Sequence, residues 1–417
     1  MEKLTKQLHQ TKQASRRLAE TPAKIRNRLI VDFGRAMVKN QSQILRANRR
    51  DLLKFQGDLA MRERLELNPG KIKSIVQGLG QVVTLPDPIG QVLETKKLAN
   101  HLLFKKISVP LGVVAVIYES RPNVTVDLAA LAIKSGNALV LKGGKESFET
   151  NRVLVSIMRK VLMRLGLPGQ LLLLVNPESD WTKVLLNAHG LLDVIIPRGG
   201  AGLIEFVRKN ATIPVIETGA GVCHTFVDEN YDVKRAVSII VNAKTQRPSV
   251  CNSLDTLVVH KKILEPLMKE LAPHLADRQV EILADARSFK ALAVLYPQQL
   301  LHHAQAADFG HEFLSLKLAI KTVDDFQQGL EFVQTHTSGH SEAILTQNTK
   351  HAKQFCDSVD AAVVYVNAST RFTDGGKFGM GAEVGVSTQK LHVRGPMGAQ
   401  ALTSYKWQVW GSGQVRK

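Results

Sequence analysis

The fold is decided by Val113-Val114-Ala115-Val116-Ile117-Tyr118, a short run of β-branched and aromatic residues. A continuous apolar run of this length is typical of a strand that is buried on both faces of a sheet. Four more short apolar runs follow, with stretches of helical character between them, at 138–141, 171–175, 193–196 and 214–216. Strands that alternate with helices predict a doubly wound parallel α/β sheet.

A second α/β block begins near residue 225. It contains a predicted helix at 231–244 and predicted strands at Leu254–His260 and 361–367, and a glycine-rich stretch follows at 375–398. Upstream of the first block, residues 92–109 alternate weakly between apolar and polar side chains. This alternation predicts a hairpin or an extended arm.

Composition limits the classes of protein to consider. The chain has 417 residues, of which 44% are hydrophobic and 22% are charged, so two or three globular domains are expected. It has no run of about 18 apolar residues, so no membrane span is expected, and its first residues lack the apolar segment of a signal peptide. The three cysteines, which are Cys223, Cys251 and Cys356, have no C-x-x-C spacing. This argues against a disulfide framework or a structural zinc site and predicts a reducing, cytoplasmic setting.

Positive charge is concentrated near the amino terminus. The formal net charge is +18, and residues 1–73 supply +11 of it, with 18 Lys or Arg against 7 Asp or Glu. In this stretch Ile25, Leu29, Phe33 and Met37 recur every four residues, which predicts a helix with one apolar and one basic face. No aromatic residues are interleaved with the cations, as a stacking platform for nucleic acid would need. We therefore favour a solvated basic face over a nucleic-acid surface.

Glycines and cations follow two of the predicted strands. The first strand leads into Glu119-Ser120-Arg121-Pro122-Asn123, which lacks the G-x-G-x-x-G of a Rossmann dinucleotide site. The second and fourth strands lead into Lys142-Gly143-Gly144-Lys145 and Arg198-Gly199-Gly200. Open parallel sheets bind nucleotides at the carboxyl ends of their strands. At this point a nucleotide site and purely structural turns both remain open.

Cys251 is the candidate nucleophile. It lies between a predicted helix and a predicted strand, in a polar segment that also contains Lys244 and Arg247. A nearby cation favours the reactive thiolate, whereas the alternative is an inert buried thiol, a common state of free cysteine. For Cys223 and Cys356 we favour that second interpretation, as packing residues. No metal site is expected from this sequence.

Several long segments of the chain together resemble one family. The chain is similar along nearly its whole length to the gamma-glutamyl phosphate reductase (glutamate-5-semialdehyde dehydrogenase) family of the aldehyde dehydrogenase superfamily. The matching segments lie at 109–125, 139–146, 196–200, 241–252, 339–344, 371–376 and 379–383.

The resemblance implies an aldehyde-dehydrogenase-like fold, with two doubly wound α/β domains and a small oligomerisation arm. Residues 1–224 are expected to form an NADP-binding domain with the amino-terminal helices, and 92–109 are expected to be part of the arm. Residues 225–390 are expected to form the catalytic domain that carries Cys251. Residues 391–417 are expected to return to the cofactor domain and the arm. The superfamily binds its dinucleotide without a G-x-G-x-x-G loop, which accounts for the missing fingerprint.

The resemblance also implies a reaction, the NADPH-dependent reduction of L-glutamyl 5-phosphate to L-glutamate 5-semialdehyde and phosphate. This is the second step of proline biosynthesis from glutamate. The Cys251 thiolate would expel phosphate and form a thioester, which divides one difficult step into two easier ones. Asn123 matches the asparagine whose amide stabilises the oxyanion together with the Cys251 backbone N–H, and one such donor is typically worth about 2.7–4 kcal/mol.

The same resemblance assigns the binding residues. Lys142 matches the lysine that binds the adenosine ribose, and Lys145 would help to hold a 2′-phosphate. Glu312 matches the glutamate that holds the nicotinamide ribose. The other expected cofactor contacts are Gly143, Gly144, Gly199 and Gly200. Because the substrate carries a carboxylate and a phosphate, which the planar fork of arginine suits, the expected substrate-binding residues are Arg121, Arg247 and Arg371.

The expected partners follow from the resemblance as well. The arm, formed by 92–109 with 396–417, suggests a homo-oligomer, and the labile acyl phosphate makes contact with glutamate 5-kinase plausible. Two alternative functions stay open: another aldehyde or acyl-reducing dehydrogenase of the same superfamily and, more remotely, a basic nucleic-acid-binding protein.

Overall fold

The structure is a computed structural model of the chain, and it describes residues 2–57, 59–119, 121–177 and 181–416. The residues group into two compact units. Unit 1 comprises Met1–Thr218, Gly375–Gly385 and Pro396–Lys417, and unit 2 comprises Gly219–Asp374 and Val386–Gly395. Within the described ranges, no helix is both long enough and apolar enough to cross a membrane.

Unit 1 begins with helices α1 (Glu2–Ala19), α2 (Ala23–Lys39), α3 (Gln41–Lys54), α4 (Leu59–Leu65) and α5 (Pro69–Thr84). The predicted apolar face of α2 is confirmed, because Leu29, Phe33 and Met37 are buried. The exposed side chains of the same helix include Lys24, Arg28, Arg35 and Lys39. These four basic residues therefore form a solvated face, as the spacing predicts, whereas Arg26 of the same helix is buried and pairs with Asp87.

A three-stranded antiparallel sheet forms the arm expected at 92–109. Strand β1 (Val92–Lys97) pairs with β2 (Leu103–Pro110), and β2 pairs on its other side with the carboxyl-terminal strand Thr403–Trp410. The register of the second pair runs from Thr403 opposite Pro110 to Trp410 opposite Leu103. We call this sheet the arm sheet.

The predicted parallel sheet forms the centre of unit 1. Its strands are β3 (Val113–Tyr118), β4 (Ala138–Lys142), β5 (Leu172–Leu174) and β6 (Val194–Arg198). They are all parallel, in the order β5-β4-β3-β6. The intervening helices are α6 (Pro122–Lys134), α7 (Phe148–Arg164), α8 (Thr182–Leu186) and α9 (Ala201–Asn210). Every residue of β3 is buried, as its apolar run predicts.

The fifth expected strand, at 214–216, is not a strand. It contributes one isolated bridge, between Val215 and Ile195. The Ile195 N–H donates to the Pro214 carbonyl and the Ile216 N–H donates to the Ile195 carbonyl, but Pro214 has no N–H with which to extend a ladder. The order of the remaining strands places the switch in winding direction between β3 and β6, and ligands bind at such points in open sheets.

Unit 2 contains a seven-stranded parallel sheet in the order β10-β9-β11-β8-β7-β12-β13. Its strands are β7 (Cys223–Val227), β8 (Leu254–His260), β9 (Glu281–Ala284), β10 (Leu301–His303), β11 (Lys317–Val323), β12 (Ser341–Leu345) and β13 (Val363–Val366). Its helices are α10 (Val233–Thr245), α11 (Leu264–Ala276), α12 (Ala286–Leu292), α13 (Phe326–His336) and α14 (Thr349–Ser358).

Both faces of this sheet are covered. Val227 and Leu257 pack into a core cluster with residues of α10 and α11. Phe226 and Val258, their neighbours along β7 and β8, pack into a second cluster with residues of α13 and α14. Successive strand residues point to opposite faces, so the sheet is doubly wound. The predicted fold class is confirmed in both units.

Candidate active site

Cys251 lies in the turn between α10 and β8, and its side chain is half-buried. The backbone of this turn is tightly packed from one side. A Cβ atom at Gly221 would come within 1.8 Å of the Cys251 carbonyl oxygen, so only glycine fits there. The thiol of Cys223 approaches the same carbonyl oxygen, with Sγ at 3.2 Å. We call the turn between α10 and β8 the nucleophile loop, after the role predicted for Cys251. These contacts hold the nucleophile loop against the segment that leads into β7.

The other two cysteines differ from each other. Cys223 is fully buried, and burial raises the pKa of its thiol well above the ordinary value. It is the packing residue that the sequence predicts. Cys356 is exposed on α14, so the same prediction is wrong for this residue. On that helix the neighbouring Phe355 turns inward to the core, which leaves the next position facing solvent.

Glu312 lies beside the nucleophile loop. Its Oε1 accepts a hydrogen bond from the Gly221 N–H at 2.9 Å, and Gly221 itself packs on Cys251. Deeper in unit 2, Asp255 accepts hydrogen bonds from the backbone N–H groups of Cys223 and Phe313. Burial raises the pKa of that aspartate. The carboxylate of Glu312 is therefore linked to the Cys251 loop through Gly221.

Arg371 is held next to the nucleophile loop by two side-chain amides. Its Nε donates to Oε1 of Gln246 at 3.1 Å, and its Nη1 donates to Oδ1 of Asn252. Asn252 is buried and is fixed in turn, because its Nδ2 donates to the Thr373 carbonyl at 2.8 Å. Asn252 directly follows Cys251, so this arrangement ties the arginine to the nucleophile loop.

The charges around Arg371 identify its neighbours. Burial lowers the pKa of Arg371, and the charge of Arg247 acts in the same direction. The charges of Asp374, Cys251 and Cys223 act in the opposite direction. A cation beside a cysteine favours the thiolate, the nucleophilic form. Unit 2 thus brings together four of the predicted site residues, which are Cys251, Glu312, Arg247 and Arg371.

Unit 1 carries the remaining predicted residues at the carboxyl ends of its strands. Lys142 ends β4 and is half-buried, and burial lowers the pKa of its amine. Gly143 follows in a tight position, because a Cβ there would come within 2.8 Å of the Asn151 amide nitrogen. Gly144 precedes a short 3₁₀ turn, Lys145–Ser147, and Lys145 is exposed.

Gly199 and Gly200 lie at the other side of the switch point, between β6 and α9. A Cβ at Gly199 would come within 2.5 Å of the Glu119 carboxylate, whereas one at Gly200 would meet open space. The Gly200 N–H donates to Oε2 of Glu119 at 3.2 Å. The amino terminus of α9 therefore faces the carboxyl end of β3, where Glu119 lies.

Asn123 is in the first turn of α6, which begins with Pro122 after Arg121 as the N-cap residue. Proline suits a first helical position because the N–H that it lacks would have no helical partner there. The Asn123 Nδ2 donates to Oδ2 of Asp127 at 3.3 Å. Sequence reasoning missed Asp127, although its spacing of four residues from Asn123 predicts neighbouring positions on one helix face.

No metal site is found where the structure can be described. Among those residues, no group of three or more His, Cys, Asp or Glu side chains is arranged to hold a metal ion.

Residues 1–289 match the model of the aldehyde dehydrogenase family. The gamma-glutamyl phosphate reductase of Chlorobium limicola is 48% identical over 97% of this chain and 97% of that protein. The chain belongs to the gamma-glutamyl phosphate reductase family. The Legionella pneumophila member is 46% identical over 99% of each chain.

A solved structure of the same family supports the fold. The crystal structure of the Thermotoga maritima gamma-glutamyl phosphate reductase matches with a TM-score of 0.93, at 39% identity over 99% of both chains. The resemblance inferred from the sequence motifs is therefore confirmed.

Membership of the aldehyde dehydrogenase family implies a nicotinamide cofactor. The residues at the carboxyl ends of β4 and β6 fit such a group. Lys142 offers an amine that forms no ion pair within the described ranges. At Gly143 a side chain would collide with Asn151 and Tyr118, so the backbone that follows Lys142 carries none. At the end of β6, Gly200 is the N-cap residue of α9, and helix amino termini favour anions. The Gly200 N–H donates to the Glu119 carboxylate in this structure, so a cofactor phosphate would take the place of that carboxylate.

Proposed function

We propose that this enzyme reduces L-glutamyl 5-phosphate with NADPH and releases L-glutamate 5-semialdehyde and phosphate, the second step of proline biosynthesis. Membership of the family supports the reaction. The observation that carries the chemistry is the position of Cys251, a half-buried thiol in a loop that is tied to the Arg371 guanidinium.

Cys251 is the nucleophile in this proposal. Its thiolate attacks the acyl carbon, phosphate leaves, and the acyl group stays on sulfur as a thioester. A bound nicotinamide cofactor supplies the hydride that the reduction requires. The packing of Gly221 and Cys223 against the Cys251 carbonyl fixes the backbone from which the thiolate acts.

Asn123 is the proposed oxyanion donor, together with the Cys251 backbone N–H. An amide donor of this kind is worth about 2.7–4 kcal/mol when it is aimed at the charge that develops in the transition state. The contact with Asp127 supports this role, because one N–H of the amide donates to the carboxylate and the second N–H remains for substrate.

Unit 1 is the proposed NADP-binding part, and unit 2 is the proposed catalytic part. Lys142, Gly143, Gly144, Gly199 and Gly200 contact the cofactor in this proposal, and Glu312 holds the nicotinamide ribose. The exposed Lys145 adds a positive charge suited to a 2′-phosphate, which supports NADP over NAD. Arg121, Arg247 and Arg371 provide positive charge for the two anions of the substrate.

The enzyme is further proposed to act as a cytoplasmic homo-oligomer. The exposed apolar residues of the arm sheet support assembly, because apolar patches of this kind mark interaction surfaces. They include Val92, Leu93, Tyr405, Trp407, Val409 and Trp410. Contact with glutamate 5-kinase is proposed because the acyl phosphate is labile. The sparse cysteines, all present as thiols, are in keeping with a reducing compartment.

The decisive experiment is Cys251→Ser, assayed in the reverse direction with glutamate semialdehyde, phosphate and NADP⁺. We expect kcat to fall by about a thousandfold or more, because a serine hydroxyl lacks the nucleophilicity of a thiolate. Binding of NADPH, measured by fluorescence titration, should be retained. Mass spectrometry after incubation of the wild-type enzyme with substrate should detect an acyl adduct on the Cys251 peptide.

Cys356→Ser is the matched control, since it makes the same chemical change at an exposed thiol on α14. It should keep wild-type activity. Substantial residual turnover in Cys251→Ser would remove the covalent mechanism. If the wild-type enzyme forms no NADPH in a phosphate-dependent manner, the proposed reaction itself is rejected.

A further inference from the structure

Arg371 is a cation that two neutral side chains hold. Its two contacts are with side-chain amides, Oε1 of Gln246 and Oδ1 of Asn252. An amide fixes the direction of a guanidinium without cancelling its charge. Two of the five N–H groups are used in this way, so three remain for a ligand.

Arg287, also in unit 2, shows the contrasting arrangement. Its Nη1 forms an ion pair with Asp324 at 2.8 Å, and its Nη2 donates to the Thr322 carbonyl. That charge is neutralised inside the protein. Arg371 forms no such ion pair with any residue that the structure describes, although Asp374 acts on it electrostatically. Its charge is therefore available to an anion from outside.

We propose that Gln246 and Asn252 position the Arg371 guanidinium to bind the phosphoryl group of the acyl phosphate. This inference rests on the proposed function and assigns one of its three arginines to one of the two substrate anions. Gln246 and Asn252 are positioning residues in this scheme, because they act through Arg371 and do not touch the substrate.

The covalent structure of the substrate decides between the anions. The phosphorus is separated from the acyl carbon by a single oxygen, whereas the α-carboxylate is separated from it by three carbons. Sγ of Cys251 bonds to the acyl carbon, so the phosphoryl group must sit close to the nucleophile loop. Asn252 is the next residue along that loop and directly contacts Arg371.

The same position assists the chemical step. As the bond between Sγ and the acyl carbon forms, the bond from that carbon to the phosphate oxygen breaks, and its electron pair leaves with the phosphate. The negative charge on the departing oxygen therefore grows. A planar guanidinium binds two phosphate oxygens at once, and such charge-assisted hydrogen bonds are stronger than neutral ones.

The reverse reaction tests this assignment, because phosphate and glutamate semialdehyde are then separate substrates with separate KM values. In Arg371→Lys, which keeps the charge but loses the fork, we expect the phosphate KM to rise by about tenfold or more. The semialdehyde, which carries the α-carboxylate, should keep its KM within about twofold. Arg287→Lys is the matched control and should change neither KM.

Gln246 provides the test of positioning, since its side chain is exposed and its replacement leaves no cavity in the core. Gln246→Ala removes one acceptor, so the phosphate KM should rise about threefold to tenfold. Gln246→Glu keeps an acceptor but pairs its charge with the guanidinium, and should raise the phosphate KM further. A residue that merely supported the fold would not show this order.

The outcomes separate this inference from the proposed function. An increase confined to the semialdehyde KM would assign Arg371 to the carboxylate and overturn the inference while leaving the reaction intact. Equal increases in both KM values, or a Gln246→Glu variant no weaker for phosphate than Gln246→Ala, would also overturn it. Failure of the wild-type enzyme to use phosphate at all would instead reject the proposed reaction.

Discussion

Asp127 is a carboxylate in an environment that disfavours its charge. Its Oδ2 accepts from the Asn123 amide, and Arg198 lies near enough to lower its pKa electrostatically. Burial outweighs both effects and raises the pKa of Asp127 from 3.8 to about 6. The ionised carboxylate at neutral pH therefore costs the folded state some stability, which the contact with Asn123 and the charge of Arg198 only partly offset.

This pKa predicts how stability should vary with pH in Asp127→Asn. Because the folded-state pKa is raised, the stability contributed by this group is fully present below pH 3.8 and is lost as the pH rises through about 6. At pH 8, Asp127→Asn should therefore need more urea than wild type to unfold. Its free energy of unfolding should be higher by on the order of 1–2 kcal/mol. At pH 5 the difference should shrink. A difference that stays constant from pH 5 to pH 8 would contradict the raised pKa.

The site could be predicted only in part from residue types. The motif around Cys251 predicts a nucleophile there, and the resemblance predicts Arg247 and Arg371 as substrate residues without assigning either to an anion. Arg371 and Asn252 are in contact although 119 positions separate them in the sequence. No local sequence pattern predicts a contact between residues so far apart along the chain. Asn252 and Gln246 were visible in the same motif, but their role depends on a distant arginine.

At the scale of elements, apolar runs predicted strands well where the neighbouring strands could pair with them. The run Val113–Tyr118 is strand β3, and Leu254–His260 is strand β8. The run at 214–216 failed because pairing requires N–H groups as well as apolar side chains, and Pro214 has none. Sequence periodicity does not report which strand lies at an edge, so the order of strands came from the structure alone.

Helix caps offer an element-scale test in unit 2. Asp232 caps α10, and its exposed side chain accepts from the Arg235 N–H at 2.7 Å. Asp285 caps α12 through the Ser288 N–H and also accepts from the backbone N–H of Thr322, which is fully buried. Loss of the Asp285 side chain would leave the buried Thr322 N–H on β11 without an acceptor. The two caps should therefore contribute different amounts to the free energy of unfolding.

We expect Asp232→Ala to lower the free energy of unfolding by about 1 kcal/mol, the usual worth of a helix cap. Asp285→Ala should lower it by about 2–4 kcal/mol, because a buried unsatisfied N–H adds its desolvation cost. Urea unfolding followed by circular dichroism measures both. Equal losses in the two variants would show that the contact from Asp285 to β11 contributes nothing beyond the cap.

At the scale of the whole molecule, the arm sheet is notable for the apolar side chains that it exposes to solvent. All six residues of β1 are exposed, and Tyr405, Trp407 and Val409 alternate along one face of the carboxyl-terminal strand with about half of their surface in solvent. Small sheets need a covered apolar face to be stable. The proposed homo-oligomer supplies such a cover.

Trp407→Asp tests this cover directly. Trp407 is 45% exposed and packs edge-on against Phe104 within the sheet. A carboxylate there would have to be desolvated in an interface, at a cost that is large for an unpaired charge. We expect light scattering to show the wild type as a dimer or larger and Trp407→Asp as a monomer with normal circular dichroism. Val294→Asp, at a 91% exposed apolar position in unit 2, is the matched control and should keep the wild-type mass. A monomeric wild type, or a Trp407→Asp variant that stays assembled, would remove the arm sheet as the proposed interface.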